Sequence, residues 1–384
     1  MTGEYQSISC DISPKEIQCW LTISVGRYMS MIIERYEEFT TAVANETIGH
    51  VYTEKITAVE IRGLGEGVGL MSSIARGRLT LESGREETVI VKCIARTENS
   101  ALSKGLNFYK NEINFYLHLA QETPIRVPRC LYASVDPVTQ DFLLVLEDLG
   151  DEKAGDQLQG CTERERLAAF SRAAELHATF WGRAAEFDWL NYQVDMKTIL
   201  FRRDKILRPG IEPTIERFPD YFDGDRADIV RKIGDQYIDL FLHAMGGEPT
   251  IIHGDYRVDN VFLTGSKDDP DIIAFDWQNT MGGNGTHDIA YFSAGGCDAE
   301  LRGESEQQAL KHYHDILKDR GVKGYSFEEC IEQYRYNILV TMITPIAICG
   351  TLDQGNERGV KLGTTMLERA LTALESLSCS DLLS

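Results

Sequence analysis

His253-Gly254-Asp255-Tyr256-Arg257-Val258-Asp259-Asn260, with Asp276 sixteen residues further on at the end of Asp271-Ile-Ile-Ala-Phe, is the most informative stretch of this chain. Pro249-Thr-Ile-Ile enters it and Val261-Phe-Leu leaves it, so short apolar runs flank a polar loop, and a loop between strands is expected here. Two acids and an amide at this spacing meet the needs of phosphoryl transfer. A carboxylate must hold an attacking hydroxyl in line, and metal ions must absorb charge on the phosphate oxygens. Asp255 takes the first role, accepting or orienting the hydroxyl proton. Asn260 and Asp276 take the second as hard oxygen ligands for Mg²⁺, which prefers few protein ligands alongside phosphate oxygens and water. Taken singly, Asp255 and Asn260 would equally cap a turn beside glycine, and Asp276 would simply end a strand.

The upstream half supplies what a nucleotide site needs. Thr88-Val-Ile-Val-Lys92 is a β-branched run ending in a lysine suited to binding phosphates. Twenty residues later Glu112 lies in a segment whose Phe108, Ile113, Phe115, Tyr116 and Leu119 form one apolar helical stripe, so a helical glutamate is placed to hold Lys92. The alternative is an exposed strand-end lysine and a solvated glutamate. Before that strand, Arg62-Gly63-Leu-Gly65-Glu66-Gly67-Val-Gly69-Leu-Met-Ser72 is a loop able to bring backbone N–H groups, with Gly65, Gly67 and Ser72, against phosphates. Its glycines do not follow a strict G-x-G-x-x-G, and a plain hairpin between Thr57–Ile61 and Leu70–Leu81 reads equally well. Phe142-Leu-Leu-Val-Leu-Glu147-Asp148-Leu149-Gly150 is an apolar strand stopping in acids and glycine. It reads as a hinge whose Glu147 to Leu149 backbone meets adenine, or as an ordinary strand end.

These residues resemble the aminoglycoside phosphotransferase and choline kinase superfamily, and within it the ecdysteroid-kinase-like branch. The likeness is carried by Val-Ile-Val-Lys92, Glu112, Leu-Glu-Asp148-Leu, His253-Gly-Asp255-x-x-x-x-Asn260, Asp276-Trp-Gln278 and Thr286-His-Asp288-Ile-Ala, and it spans about residues 55 to 370. The variant Tyr256-Arg257-x-Asp-Asn260 also resembles kinase-like domains fused to acyl-CoA dehydrogenases. The resemblance implies an α+β, two-lobed protein-kinase-like fold with a small β-rich N-lobe, a larger mainly helical C-lobe, and ATP with Mg²⁺ in the cleft. It implies Asp255 as catalytic acid, Asn260 and Asp276 as metal ligands, Lys92 as phosphate clamp, and Asp288 as a structural acid bracing the catalytic loop.

Departures from the protein-kinase pattern narrow the acceptor. Asp276 is followed by Trp277-Gln278 where protein kinases have Phe-Gly, no Ala-Pro-Glu occurs, and only eleven residues separate Asp276 from Asp288. That leaves little room for a protein-substrate platform, so a small-molecule hydroxyl is expected and a protein substrate is not. By family analogy the order is a sterol-like or other hydrophobic alcohol, then an aminoglycoside or other antibiotic, then a choline-like metabolite. A catalytically silent, pseudokinase-like nucleotide-binding or scaffold protein is the alternative. Complete polar machinery argues against it.

Composition is compatible with this reading. The net charge of −21 argues against nucleic-acid binding, which leaves a basic footprint. The nine cysteines form no C-x-x-C and read as reduced thiols. The longest apolar stretch, around Ile338 to Cys349, is interrupted by Thr341, Thr344 and Pro345 and is too short to cross a bilayer; with no signal-like start, a cytoplasmic location is the default.

Three segments are expected: an N-terminal helical extension over 1–54, with a helix from Pro14 to Val43; an N-lobe over 55–147; and a C-lobe over 148–384. Helices are predicted for Thr162–Trp181, Asp225–Met245, Glu304–Asp319, Phe327–Ala347 and Arg358–Leu377. His177, Phe180, Trp181, Trp189, Tyr291 and Phe292 are expected either to contact the acceptor or to fill the core. Arg257 reads either as a contact for phosphate or an acidic acceptor, or as a bridge between surface carboxylates.

Overall fold

A computed structural model describes residues 31–64, 72–96, 99–150, 152–351 and 357–384. Gly65 and Gly67, and the first part of the expected Pro14–Val43 helix, lie outside the described residues. The fold is α+β and two-lobed. The first lobe is built on β1 (Ile56–Leu64), β2 (Ser72–Leu81), β3 (Glu86–Ile94), β4 (Cys130–Val135) and β5 (Phe142–Glu147), an antiparallel sheet in the order β1-β2-β3-β5-β4.

The unbroken apolar run of β5 follows from burial on both faces of the sheet. Phe142, Leu144 and Leu146 join the main core with Tyr109 and Ile113, whereas Leu143 and Val145 pack with Ile33, Phe39, Ala44 and Ile48. The second set corrects the N-terminal expectation. Described residues 31–40 are not helical apart from a 3-10 turn at Tyr36–Glu38, and α1 (Thr41–Ile48) starts only after Thr40, whose hydroxyl accepts from the Val43 N–H. Burying Ile33 and Phe39 against the sheet overrides the helical pattern.

α2 (Asn99–Gly105) and α3 (Phe108–His118) sit between β3 and β4. The second lobe follows with β6 (Lys153–Ala154), α4 (Glu163–Thr179), α5 (Met196–Phe201), α6 (Arg208–Arg217), α7 (Arg226–Ala244), β7 (Thr250–Ile252), β8 (Val261–Gly265), β9 (Pro270–Ala274), β10 (Met281–Gly283), α8 (Thr286–Gly296), α9 (Ala299–Asp319), α10 (Phe327–Thr341), α11 (Ile343–Thr351) and α12 (Glu357–Ser376). Thr162 and Glu165 form a reciprocal capping box that starts α4 where the sequence predicts it. The expected single helix over Phe327–Ala347 divides at Met342 instead. Pro345 then falls in the first turn of α11, where its missing N–H costs no helical bond.

Two buried clusters tie elements together. Trp277 stacks on Phe115 of α3 with ring centroids 3.9 Å apart and planes at 5°, and lies 4.5 Å from the His253 ring. Arg166 of α4 is fully buried and pairs with Glu306 of α9 at 2.6 Å, while the Tyr334 hydroxyl of α10 donates to the same carboxylate. Among the described residues no helix is long and apolar enough to cross a membrane.

Candidate active site

Strand β3 carries Lys92 into the interior, and α3 brings Glu112 to meet it. The Lys92 ammonium lies 2.6 Å from Glu112 Oε1 and 3.0 Å from Asp276 Oδ1, and Lys92 and Glu112 are both buried. Burial works against the ammonium, yet Asp276 and then Glu112 hold its pKa above the ordinary lysine value. For Asp276 burial acts upward, but Lys92, with smaller help from His253 and Arg257, keeps the carboxyl below its usual range. Glu112 goes the other way, raised by burial. Asp276 has φ 65°, a left-handed conformation that aspartate tolerates better than most residues.

The predicted loop between strands is present, from the end of β7 to the start of β8. Asn260, in a 3-10 turn, donates from Nδ2 to both the backbone carbonyl and Oδ2 of Asp255, each at 2.9 Å. Arg257 lies 3.3 Å from Asp255 Oδ1 and 2.7 Å from Asp259 Oδ2, so in this structure it bridges carboxylates. Burial raises the Asp255 carboxyl, with Arg257 opposing and Asp276 reinforcing the rise. Gly254 takes φ +76°, and a Cβ there would meet the Asn279 carbonyl at 2.3 Å. Glycine is therefore required for the loop to approach the Trp277–Asn279 turn.

Below the loop, Asp288 of α8 accepts the backbone N–H of His253 at 2.7 Å and of Gly254 at 2.9 Å. His177 of α4 reaches the same carboxylate through Nε2 at 3.2 Å, and its Nδ1 lies 2.9 Å from the Tyr313 hydroxyl. One neutral tautomer satisfies both contacts: the Tyr313 O–H donates to Nδ1, and Nε2–H donates to Asp288. The hydrogen bond from His177 leads the influences that keep the Asp288 carboxyl low despite burial.

Of the remaining expected site residues, Ser72 opens β2 and is buried with its hydroxyl unpartnered. Leu149 lines a cavity of about 260 Å³ at the lobe junction with Thr88, Asp148, Gly150 and Glu152. Glu147 is not among those lining residues; its carboxylate accepts the Arg129 N–H at 3.0 Å.

Asp255 opens onto a second cavity of about 280 Å³, lined among others by Phe108, Phe201, Tyr237, Phe241, Tyr291 and Ile343. Of the acceptor contacts weighed from sequence, Tyr291 lines this cavity. His177, Phe180 and Phe292 are fully buried core residues, and Trp181 and Trp189 pack against the core. The lining from α5, α7 and α11 was missed. One signal was available: Thr341 and Thr344, which interrupt the apolar run in the sequence, both line the cavity.

The fold is that of kinase-like phosphotransferases. The chain belongs to the ecdysteroid kinase-like family, whose model matches residues 66–323. Among solved structures it is similar to the GDP complex of aminoglycoside 2'-phosphotransferase-IIIa, with 13% identity, a TM-score of 0.52, and coverage of 89% of this chain and 99% of that one. It is also similar to a structure from Ralstonia eutropha provisionally assigned as an aminoglycoside phosphotransferase, with 13% identity, a TM-score of 0.51, and coverage of 88% and 97%. At these identities the likeness is one of fold. A curated relative, the Caenorhabditis elegans protein named uncharacterized oxidoreductase dhs-27, is 19% identical over 351 residues. The match covers 79% of this chain but only 42% of that protein, so the chain spans less than half of its relative's length.

Proposed function

We propose that this protein is an ATP-dependent, Mg²⁺-requiring phosphotransferase that moves the γ-phosphoryl group to the hydroxyl of a small apolar alcohol. The observation that carries the reading is Asp255, fixed by Asn260 at 2.9 Å and opening onto an apolar cavity. In this account the acceptor hydroxyl sits at the Asp255 carboxylate, which takes its proton as the oxygen attacks the γ-phosphorus and the bond to the β–γ bridging oxygen breaks.

The residues present fit a nucleotide and its metal. The Ser72 hydroxyl is buried without a partner, and the Lys92 ammonium is held charged. Asp276 Oδ2 has only a long 3.4 Å contact, with Gln278, and the Asn260 bonds to Asp255 use its Nδ2 and leave the amide oxygen for a metal. Asn260 and Asp276 would hold Mg²⁺, which supplies charge neutralisation at the phosphates when bound. Lys92, positioned by Glu112, would meet phosphate oxygens, as would Ser72 and the Gly65 and Gly67 backbone. Leu149, with Glu147 beside it, would border adenine.

Cavity chemistry supports a sterol-like or similar apolar acceptor over a polycationic antibiotic. Asp255 is the single carboxylate among the described lining residues, and Arg202 adds a positive charge. A polyamine would meet little compensation there. We place the lobe boundary between residues 147 and 148, with 1–54 as an N-terminal extension.

The test is Mg·ATP consumption against a panel of steroids, aminoglycosides, macrolides and amino alcohols, with Asp255→Ala as control. Turnover with an apolar alcohol that disappears in the variant supports the proposal. Nucleotide binding without turnover across the panel favours a silent nucleotide-binding protein.

A further inference from the structure

Cys161 and Cys297, 136 positions apart in sequence, bring their Sγ atoms to 3.4 Å. Cys161 lies just before α4 and Cys297 just after α8. Their backbones are held together independently of the sulfurs. The Cys161 N–H donates to the Gly296 carbonyl at 3.1 Å, and Gly160 takes φ +71° where a Cβ would meet that carbonyl at 2.5 Å. Arg369 of α12 donates to the carbonyls of Gln157 at 2.6 Å and Gly295 at 3.1 Å, and pairs with Asp298 at 2.9 Å. At the opposite ends of the same two helices, His177 and Asp288 meet beneath the 253–254 loop. The helices therefore run antiparallel, with a polar brace at one end and a dithiol at the other.

We infer that Cys161 and Cys297 form an oxidation site that closes to a disulfide and staples α4 to α8. The oxidant is a low-molecular-weight disulfide such as oxidised glutathione. The Cys161 thiolate attacks one oxidant sulfur, its S–S bond breaks, and the first small thiol leaves; Cys297 then attacks the Cys161 sulfur of the mixed disulfide and releases the second. The protein loses two thiol hydrogens and two electrons, and the oxidant gains both as two thiols. Access differs between the partners in the way this order needs. Cys161 is half-buried and lines a cavity of about 780 Å³ with Lys153, Arg164 and Lys267, whereas Cys297 is buried. Closing the contact from 3.4 Å to a disulfide length of about 2.05 Å takes a shift of roughly 1.3 Å in side chains whose backbones are already clamped. The hydrogen bond with Cys297, and burial, push the Cys161 thiol well up, so closure speeds as pH rises.

The full chain is incubated with oxidised glutathione in a series from about pH 8 to about pH 9.5, quenched with N-ethylmaleimide, mapped without reduction, and melted in parallel. The wild type is expected to yield a Cys161–Cys297 linked peptide and a melting temperature raised by roughly 5 °C, the scale of closing a loop of more than 100 residues, reversed by dithiothreitol. Cys297→Ala should stop at the mixed disulfide on Cys161, and Cys161→Ser, whose reduced melting temperature serves as the folding control, should form no link. Two outcomes overturn the inference: both thiols remaining alkylatable in the wild type, or a linked peptide with no change in melting temperature.

Discussion

The Lys92 ammonium on β3 lies 3.0 Å from Oδ1 of Asp276, 184 positions further along the chain. That contact joins the sheet lobe to a residue two positions beyond β9, and Glu112 completes it from α3 at 2.6 Å. One buried cation thus stands between two carboxylates.

Lys92→Met keeps most of the side-chain stem but leaves Glu112 and Asp276 facing each other without a counter-charge. The expected loss of stability is about 3–5 kcal/mol, the usual scale for removing one partner of a buried ion pair. Urea unfolding at neutral pH measures it. A loss below about 1 kcal/mol would mean that the pair behaves as a solvated surface contact.

Asp255→Asn should lower turnover by about 10² or more while leaving Mg·ATP affinity close to wild type. The pH dependence carries a sign. Proton acceptance needs the carboxylate, and burial raises the Asp255 pKa, so activity should rise with pH through a limb above the ordinary carboxylate value of about 3.9. The Asn variant should lack that limb in its residual rate.

Asp288 is a stability residue whose folded pKa is depressed. Its contribution is therefore complete above the unfolded value of about 3.9 and is lost as pH falls through the lower folded value. Asp288→Asn should cost about 3 kcal/mol at pH 7, because its N–H₂ would replace one of the two carboxylate oxygens and face either the His253 or the Gly254 N–H, donor against donor. Denaturant titrations should find the gap to wild type narrowing in acid. A constant gap would rule out ionisation as its source.

Ala347→Trp on α11 projects bulk into the 280 Å³ cavity beside Asp255. The expected result is a fall of about 10-fold or more in kcat/KM for an apolar alcohol, with the Mg·ATP dissociation constant unchanged. Equal weakening of both would place the cavity on the nucleotide side.

Most of the polar site was legible because its groups are local in sequence. Asp255, Asn260 and Asp276 are tied by short spacings to flanking strands, and Lys92 and Glu112 sit on elements with clear periodicity. The cavity beside Asp255 was not, because Phe201, Tyr237, Tyr291 and Ile343 come from four helices that meet only through tertiary packing. His177 illustrates the same limit: it sits on an apolar helical stripe, but nothing local reveals its bonds to Asp288 and Tyr313. The Pro14–Val43 helix expectation fails over residues 31–40 because the burial of Ile33 and Phe39 depends on a sheet formed later in the chain.

Phosphoryl transfer to an apolar alcohol at Asp255 leaves a product that can be weighed. Its most direct test follows the γ-phosphoryl of isotopically labelled ATP into a steroid alcohol by mass spectrometry, comparing wild type with Asp255→Asn in the presence of Mg²⁺. A labelled phosphate monoester is expected from the wild type, and about a hundredth or less of it from the variant. Equal product from both proteins would contradict it.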